Sequence, residues 1–369
     1  MGRMSYIIKL FILVLLIVVL TGCTGGTNVS TEIQDDSEKE SISEINSNSE
    51  TDSEIVTVEF PEFGIQEINL ENSIPEDEII ASILEVYYSE DTTYILALTT
   101  VDYTAYDYRL IYGNLAEGAF QSSLIQTPEP EEGEYNWFYE TVDKEGNVYM
   151  ARTNHYMDMS CVIESAKMMS WDKEGNLRYE IELLETELSK YRENWVVFQC
   201  VSEDGYLIYT ISGEDPVVIY TTEEGRLAYE FEAAELDGYN TEIRKDGNRS
   251  LGFLQKMYQN QYQYFDINSR TFSKTVPYKK EVEDFGSYSI GLDKENIIVY
   301  AITHEEKRDF YQYNPFTGEL KPFLLHDGTN ALRTILSIDK DRFLVVRNEL
   351  NTESNKTNKL YLYTLRARE

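Results

Sequence analysis

Beyond residue 55 the chain is a succession of short β-branched and aromatic runs cut by polar turns. One set of turns opens a run each time. Ser89-Glu90-Asp91 precedes YILALTT, the turn from Asp143 precedes VYMART, and the turn from Ser202 precedes YLIYTIS. The turns beginning at Lys245, Asp293 and Asp339 do the same for RSLGFLQ, IIVYAIT and RFLVV. A second set, at 114–118, 172–176, 222–225, 266–269 and 314–318, interleaves with the first and follows runs such as YDYRLIY and DFYQY. Asp, Asn and Gly supply the turn chemistry, and the residues between them suit pleated strands. Helical periodicity is confined to the start of the chain and to residues 182–190, which have room for a turn or two.

With Asp91, Glu145, Asp204, Asp246, Glu295 and Asp341 as markers, the repeat spacings are roughly 54, 59, 42, 49 and 46 residues, near the ~40–50 of propeller blades. Two hairpins per repeat make four strands, and four-stranded repeats of this length hide their sheet edges by radial closure. The expected fold is all-β, a six-bladed β-propeller. A seven-bladed ring is the runner-up, with two stacked β-sandwiches behind it. The blades fall at 78–127, 135–184, 195–233, 241–276, 287–325 and 332–365. The sixth is one strand short, and the unassigned run IVTVEF at 55–60 is the strand expected to complete it and close the ring.

The start of the chain follows another plan. Arg3 and Lys9 lead into an apolar run over 10–20, and Leu20, Thr21 and Gly22 then precede Cys23. This is the layout of an export signal, and the run is shorter than the ~20 residues a spanning helix needs. Leu20-Thr21-Gly22-Cys23 resembles a lipobox, which implies cleavage before Cys23 and a diacylglyceryl group on its thiol. Two acyl chains suffice for stable anchoring. From Thr24 to Glu54 there is no aromatic residue, and nine acidic residues face the single Lys39. Such a segment cannot bury enough apolar surface to order itself, and as a flexible chain it reaches about 30 Å. The expected organisation is a lipoprotein signal peptide over 1–22, a lipidated Cys23 with a disordered acidic linker over 23–54, and the propeller over 55–369. The protein is then lipid-anchored at the extracytoplasmic face of the cell membrane.

Charge and chemistry narrow the function. With 66 Asp and Glu against 32 Lys and Arg, the net charge is −34. A phosphate backbone is repelled by such a surface, so nucleic acid is not an expected partner. Cys161 and Cys200 are either one bridge or two separate buried thiols, and in neither case a disulfide framework or a cysteine zinc site. The histidines are His155, His304 and His326, none in an H-E-x-x-H pattern, so no metal or cofactor is expected. Residues 247–252 have one residue too many for a G-x-S-x-G elbow. The D-K-E-G-N turns lack the alternating oxygen ligands of a calcium loop. The stretches 141–146 and 170–175 insert a residue before the glycine of a sialidase-type S-x-D-x-G box. No catalytic residue is assigned, and abundant carboxylates are not by themselves the placed pair that glycoside hydrolysis requires.

One position recurs. His155 lies ten residues after Glu145 and His304 nine after Glu295, so both should follow the second strand of a blade, and those loops share one propeller face. Arg152, Asn154, His155, Tyr156, His304 and Arg347 form the candidate binding face. Asp102, Tyr103, Glu214, Asp215, Tyr258 and Asn348 fall on it too.

Lipobox, acidic Ser-rich linker and D-K-E-G-N blades together resemble the propeller lipoproteins of Gram-positive bacteria, some of which continue into an extracellular solute-binding domain. This sequence stops where that domain begins in the fused members. A propeller without a catalytic constellation points to a non-catalytic ligand- or protein-binding module, and the resemblance makes a role accessory to solute uptake its sharpest form. The expected partners are the membrane, through Cys23, and a protein, carbohydrate or peptide. The alternatives are an extracellular polysaccharide-active enzyme and a structural protein of envelope assembly.

Overall fold

Taken in chain order, the apolar runs become strands. β1 (Phe63–Ile68) comes first. Blade 1 holds β2 (Ile79–Tyr88), β3 (Thr93–Thr100), β4 (Asp107–Asn114) and β5 (Ala119–Ile125). Blade 2 holds β6 (Tyr135–Val142), β7 (Val148–His155), β8 (Ile163–Trp171) and β9 (Leu177–Glu182), and blade 3 holds β10 (Trp195–Val201), β11 (Leu207–Ser212), β12 (Val217–Thr221) and β13 (Leu227–Glu232). In blade 4, β14 (Thr241–Asp246), β15 (Ser250–Gln255) and β16 (Gln261–Asp266) carry an outer edge broken into β17 (Thr271–Phe272) and β18 (Val276–Pro277). An edge is where a strand tolerates proline. Blade 5 is β19 (Gly286–Gly291), β20 (Ile297–Ile302), β21 (Arg308–Asn314) and β22 (Glu319–Leu324), and blade 6 begins with β23 (Ala331–Ser337), β24 (Arg342–Leu350) and β25 (Lys356–Leu365). All pairings among the described residues are antiparallel, and the sheets make a six-bladed β-propeller.

This computed structural model describes residues 60–128, 135–155, 163–191, 195–212, 217–233, 241–246, 250–255, 261–277, 286–302, 308–324, 331–350 and 356–366. The export signal, Cys23, the linker, Tyr156, Cys161, Glu214, Asp215, Tyr258 and His304 lie outside the described residues.

The middle strands of a blade are covered on both faces, so they read as unbroken apolar runs. In β3, Ile95 and Ala97 turn toward blade 6, while Tyr94 and Leu96 turn toward blade 2. In β24, Phe343 and Val345 face blade 5, and Leu344 and Val346 face blade 1. Six apolar clusters result, one in each seam between neighbouring blades. The cluster joining Leu344, Val346 and Leu360 of blade 6 to Ile83, Ile95 and Ile111 of blade 1 closes the ring.

Closure uses β1, which pairs with β25 so that Phe63 lies opposite Leu365 and Ile68 opposite Leu360. The completing strand is therefore 63–68 rather than the expected 55–60. Phe60 is in no strand, and 55–59 lie outside the described residues. An outermost strand needs only one covered face. FGIQEI, with Ile65, Gln66 and Glu67 exposed and Ile68 buried, meets that requirement. The same seam is tied by buried Asn358 of β25. Its Oδ1 accepts the backbone N–H of Ile83 at 2.9 Å and the Ser82 hydroxyl at 3.1 Å, where the ladder of β2 is irregular. Residues 182–190 form two short 3-10 turns, Leu183–Glu185 and Glu187–Tyr191, which bury Leu183 and Leu188 against blade 3. Cys200 is a buried free thiol in the seam of blades 3 and 4, and burial pushes its pKa up to about 12.

Candidate binding site on the turn face

In a four-stranded antiparallel blade the turns joining strands 1 to 2 and 3 to 4 emerge at one end. The loops joining strands 2 to 3, and the crossings to the next blade, emerge at the other. The first end, the turn face, is built from self-satisfied turns. Asp143 Oδ1 accepts the N–H groups of Glu145 (3.0 Å) and Asn147 (2.8 Å), while its Oδ2 accepts the Asn147 amide (2.9 Å) and the Tyr149 hydroxyl (3.0 Å). Asp172 and Asn176 repeat this pairing in the other turn of blade 2, and the Asn176 amide holds the Asp172 carboxyl below its usual range. In blade 3, Ser202 takes the part of the aspartate, accepting Tyr206 N–H at 3.0 Å. The D-K-E-G-N turns thus spend their carboxylates on their own backbone. Among the described residues no group of three or more His, Cys, Asp or Glu is placed to hold a metal. Gly146 has φ +83°, and a Cβ there would lie 2.4 Å from the Tyr94 ring, so both conformation and packing require glycine.

A cavity of about 460 Å³ opens between these turns. Its wall takes Tyr87 and Tyr88 from the end of β2, the turn residues 143–147 of blade 2 and 202–205 of blade 3, and Leu336 and Ser337 from the end of β23. The lining holds five carboxylate side chains (Asp143, Glu145, Glu203, Asp204, Glu223) against two cations, Lys144 and Arg178. Arg178 ties the rim together. Its Nη1 donates to the Tyr149 hydroxyl (3.1 Å) and to Ser170 Oγ (3.0 Å), and its Nη2 donates to Glu223 Oε1 of blade 3 (3.0 Å). Burial, then the charge of Asp143, raises the Tyr149 pKa against the opposing pull of Arg178, so the phenol stays a neutral donor. Lys144 Nζ crosses to the Glu203 carbonyl at 3.1 Å.

Two residues further along the wall strands, charges meet across the axis. Lys245 of blade 4 contacts Glu85 of blade 1, and its Nζ also donates to the Gln199 carbonyl at 3.1 Å. The β10–β11 register slips between Phe198 and Cys200, leaving Gln199 at the irregularity where a neighbour can use its carbonyl. Burial alone would lower the Lys245 pKa, but Glu85 foremost outweighs it and the net shift is upward.

The residues expected to bind are placed elsewhere. Arg152 and His155 belong to β7, with His155 its last residue opposite Tyr135, and Asn154 pairs with Asn136. They approach the end opposite the turn face. Arg347, on β24, approaches that end too, with its Nη1 on the Tyr363 hydroxyl at 2.9 Å and its guanidinium 5.6 Å from the Tyr361 ring centre. Arg152 is buried. Asp102 and Tyr103 lie in the loop between β3 and β4, where Asp102 accepts Thr104 N–H at 2.9 Å. The expected face is therefore described only in part, and the cavity lies at the other end of the blades. The sequence signal for the cavity was the Tyr87-Tyr88 pair ending a first strand, together with the turn residues read only as turns.

No family model and no curated protein matches the sequence. Distant likenesses are found among solved structures. The subtype N11 neuraminidase-like protein of A/flat-faced bat/Peru/033/2010 aligns over 84% of this chain and 95% of its own, at 10% identity and TM-score 0.47. Trypanosoma rangeli sialidase aligns over 78% of this chain and 55% of its own, at 8% and 0.46. The β-propeller domain of the Trilobed protease from Pyrococcus furiosus aligns over 79% and 84%, at 13% and 0.39. Likenesses this distant carry no chemistry from those proteins to this chain.

Proposed function

We propose that this propeller is a non-catalytic binding module, carried on the outer face of a membrane by a lipid on Cys23, and that its ligand sits in the turn-face cavity. The observation that carries the reading is the cavity itself. About 460 Å³ of concave space is walled by tyrosines and carboxylates on turns already held by their own hydrogen bonds. Such a rim pays little ordering entropy on binding. Tyrosine offers a ring for stacking and a hydroxyl for hydrogen bonding, which suits a sugar or a peptide, and the excess of carboxylates favours ligands bearing a positive charge. The carboxylates with most partners are engaged structurally, Asp143 by its turn and Glu223 by Arg178, which favours binding over acid–base chemistry. The lipobox-like Leu20-Thr21-Gly22-Cys23 supports the anchor, and an accessory role beside a solute importer is the form that best uses a rigid displayed face.

The test is a thermal-shift screen of the full chain in detergent against oligosaccharides, peptides and amines. It compares wild type, a Y88A/E203Q variant of the cavity and a H155A/H304A variant of the opposite face. A saturable stabilisation lost only in Y88A/E203Q supports the reading. Loss only in H155A/H304A moves the site to the opposite face. Turnover of an oligosaccharide replaces the reading with the enzyme alternative. A C23A chain that leaves the membrane fraction supports the anchor.

A further inference from the structure

We propose that the rim between blades 3 and 4 is a recognition site for a guanidinium or methylated-ammonium group, and that the chain keeps it filled with its own Arg270. Tyr206, Tyr220 and Tyr229, from successive segments of blade 3, stand edge-on to one another. Their centres are 5.6–6.3 Å apart and their planes 66–89° apart. They form the walls of a cage rather than a stack. Arg270 enters from blade 4, its guanidinium carbon 4.4 Å from the centre of Tyr229 and 5.5 Å from those of Tyr206 and Tyr220, and it contacts the Asp204 carboxylate. Aromatic faces and one carboxylate are the chemistry that selects weakly hydrated cations.

The backbone indicates that the side chain is the reason for the residue. Arg270 sits at φ +57°. In the matching turns of blades 1 and 5, each closed by the same N–H to carbonyl bond from the fifth residue to the first, the left-handed position is held by Gly118 and Gly318. A non-glycine residue there is strained, so blade 4 tolerates strain to fill the cage. Exit is open, because the Arg270 side chain is 24% exposed and Tyr229 is 40% exposed. Asp204 and Asn268 also line the cavity, so the cage adjoins it. A partner presenting a guanidinium or methylated ammonium would displace the Arg270 side chain from the cage. Only this use by a partner rests on the binding-module reading. The existence of the cage does not.

The experiment is chemical rescue. R270G, as the full chain in detergent, is melted in rising ethylguanidinium or tetramethylammonium chloride, against sodium chloride at equal ionic strength. The expected result is a melting temperature below wild type in sodium chloride that rises saturably with either organic cation, while wild type and R270G/Y229A show no such rise. The same melting curve for R270G in all three salts overturns the proposal. A second pair needs no rescue and covers failure of R270G to fold: R270K and R270Q share the backbone penalty, so lysine must melt above glutamine. Equal melting of these two also overturns it. If the cage responds while the cavity screen finds no ligand, the binding-module reading fails and the cage stands.

Discussion

Charged contacts join the blades both on the axis and on the rim, and they sit in different surroundings. On the axis, Lys245 and Glu85 come from blades 4 and 1, with side chains 21% and 10% exposed. On the rim, Arg178–Glu223 and Arg270–Asp204 leave their acids 38% and 51% exposed. The axial pair has given up most of its hydration and must be complete to be tolerated. The rim pairs keep water, so their charge contributes little and their tyrosine contacts contribute more.

The largest effect that separates the two regions is expected from K245A. Removing the cation leaves Glu85 uncompensated near the axis and should cost about 3–5 kcal/mol in urea unfolding, whereas a K245M/E85L pair should recover most of that loss. A K245A cost no greater than that of a rim variant would mean that the axis is wet and the distinction is empty. Next is N358A in the closing seam. Loss of the acceptor strands the Ile83 N–H and should cost about 1–3 kcal/mol.

On the rim, R270A should cost about 1–2 kcal/mol through lost cage contacts. R270G should cost less, because glycine removes left-handed strain of about 1 kcal/mol. Calorimetry showing R270G to be the less stable of the two would mean that the turn at Arg270 carries no strain.

The smallest effect is the pH dependence, where the regions should part in opposite directions. Burial opposes but Ser202 and Arg270 prevail in lowering the Asp204 pKa, so its contribution is complete above the unfolded value near 3.8 and is lost as pH falls through the lower folded value. Lys245 is raised, so its contribution is complete below the unfolded value near 10.5 and is lost only as pH rises through the higher folded one. Melting curves of D204N and wild type should therefore converge at acid pH. Those of K245M/E85L and wild type should change their relation on the alkaline side, as Lys245 loses its proton.

The blades were legible because each is encoded locally. A turn such as 143–147 announces itself by Asp, Gly and Asn, and the run that follows is apolar on both faces because both faces are seams. The closing strand was misplaced by a few residues, since FGIQEI leaves Ile65 exposed and so lacks the clean alternation of a half-covered strand. The binding face was argued from the histidines, yet the cavity formed at the opposite end, where residues that looked like ordinary turn and strand ends converge. Nothing near Arg270 in the chain hints at the cage, whose walls lie in another blade.

Four strands per repeat and a six-bladed ring, with seven blades as runner-up, were thus read from the sequence alone, because turn chemistry and strand propensity act between neighbours. That turns of blades 1, 2, 3 and 6 converge on one cavity, and that Lys245 meets Glu85 160 residues away, were decided by the tertiary structure. Those contacts join blades far apart in the chain, which the closed ring brings together, and the apolar surface buried in its seams favours that closed form.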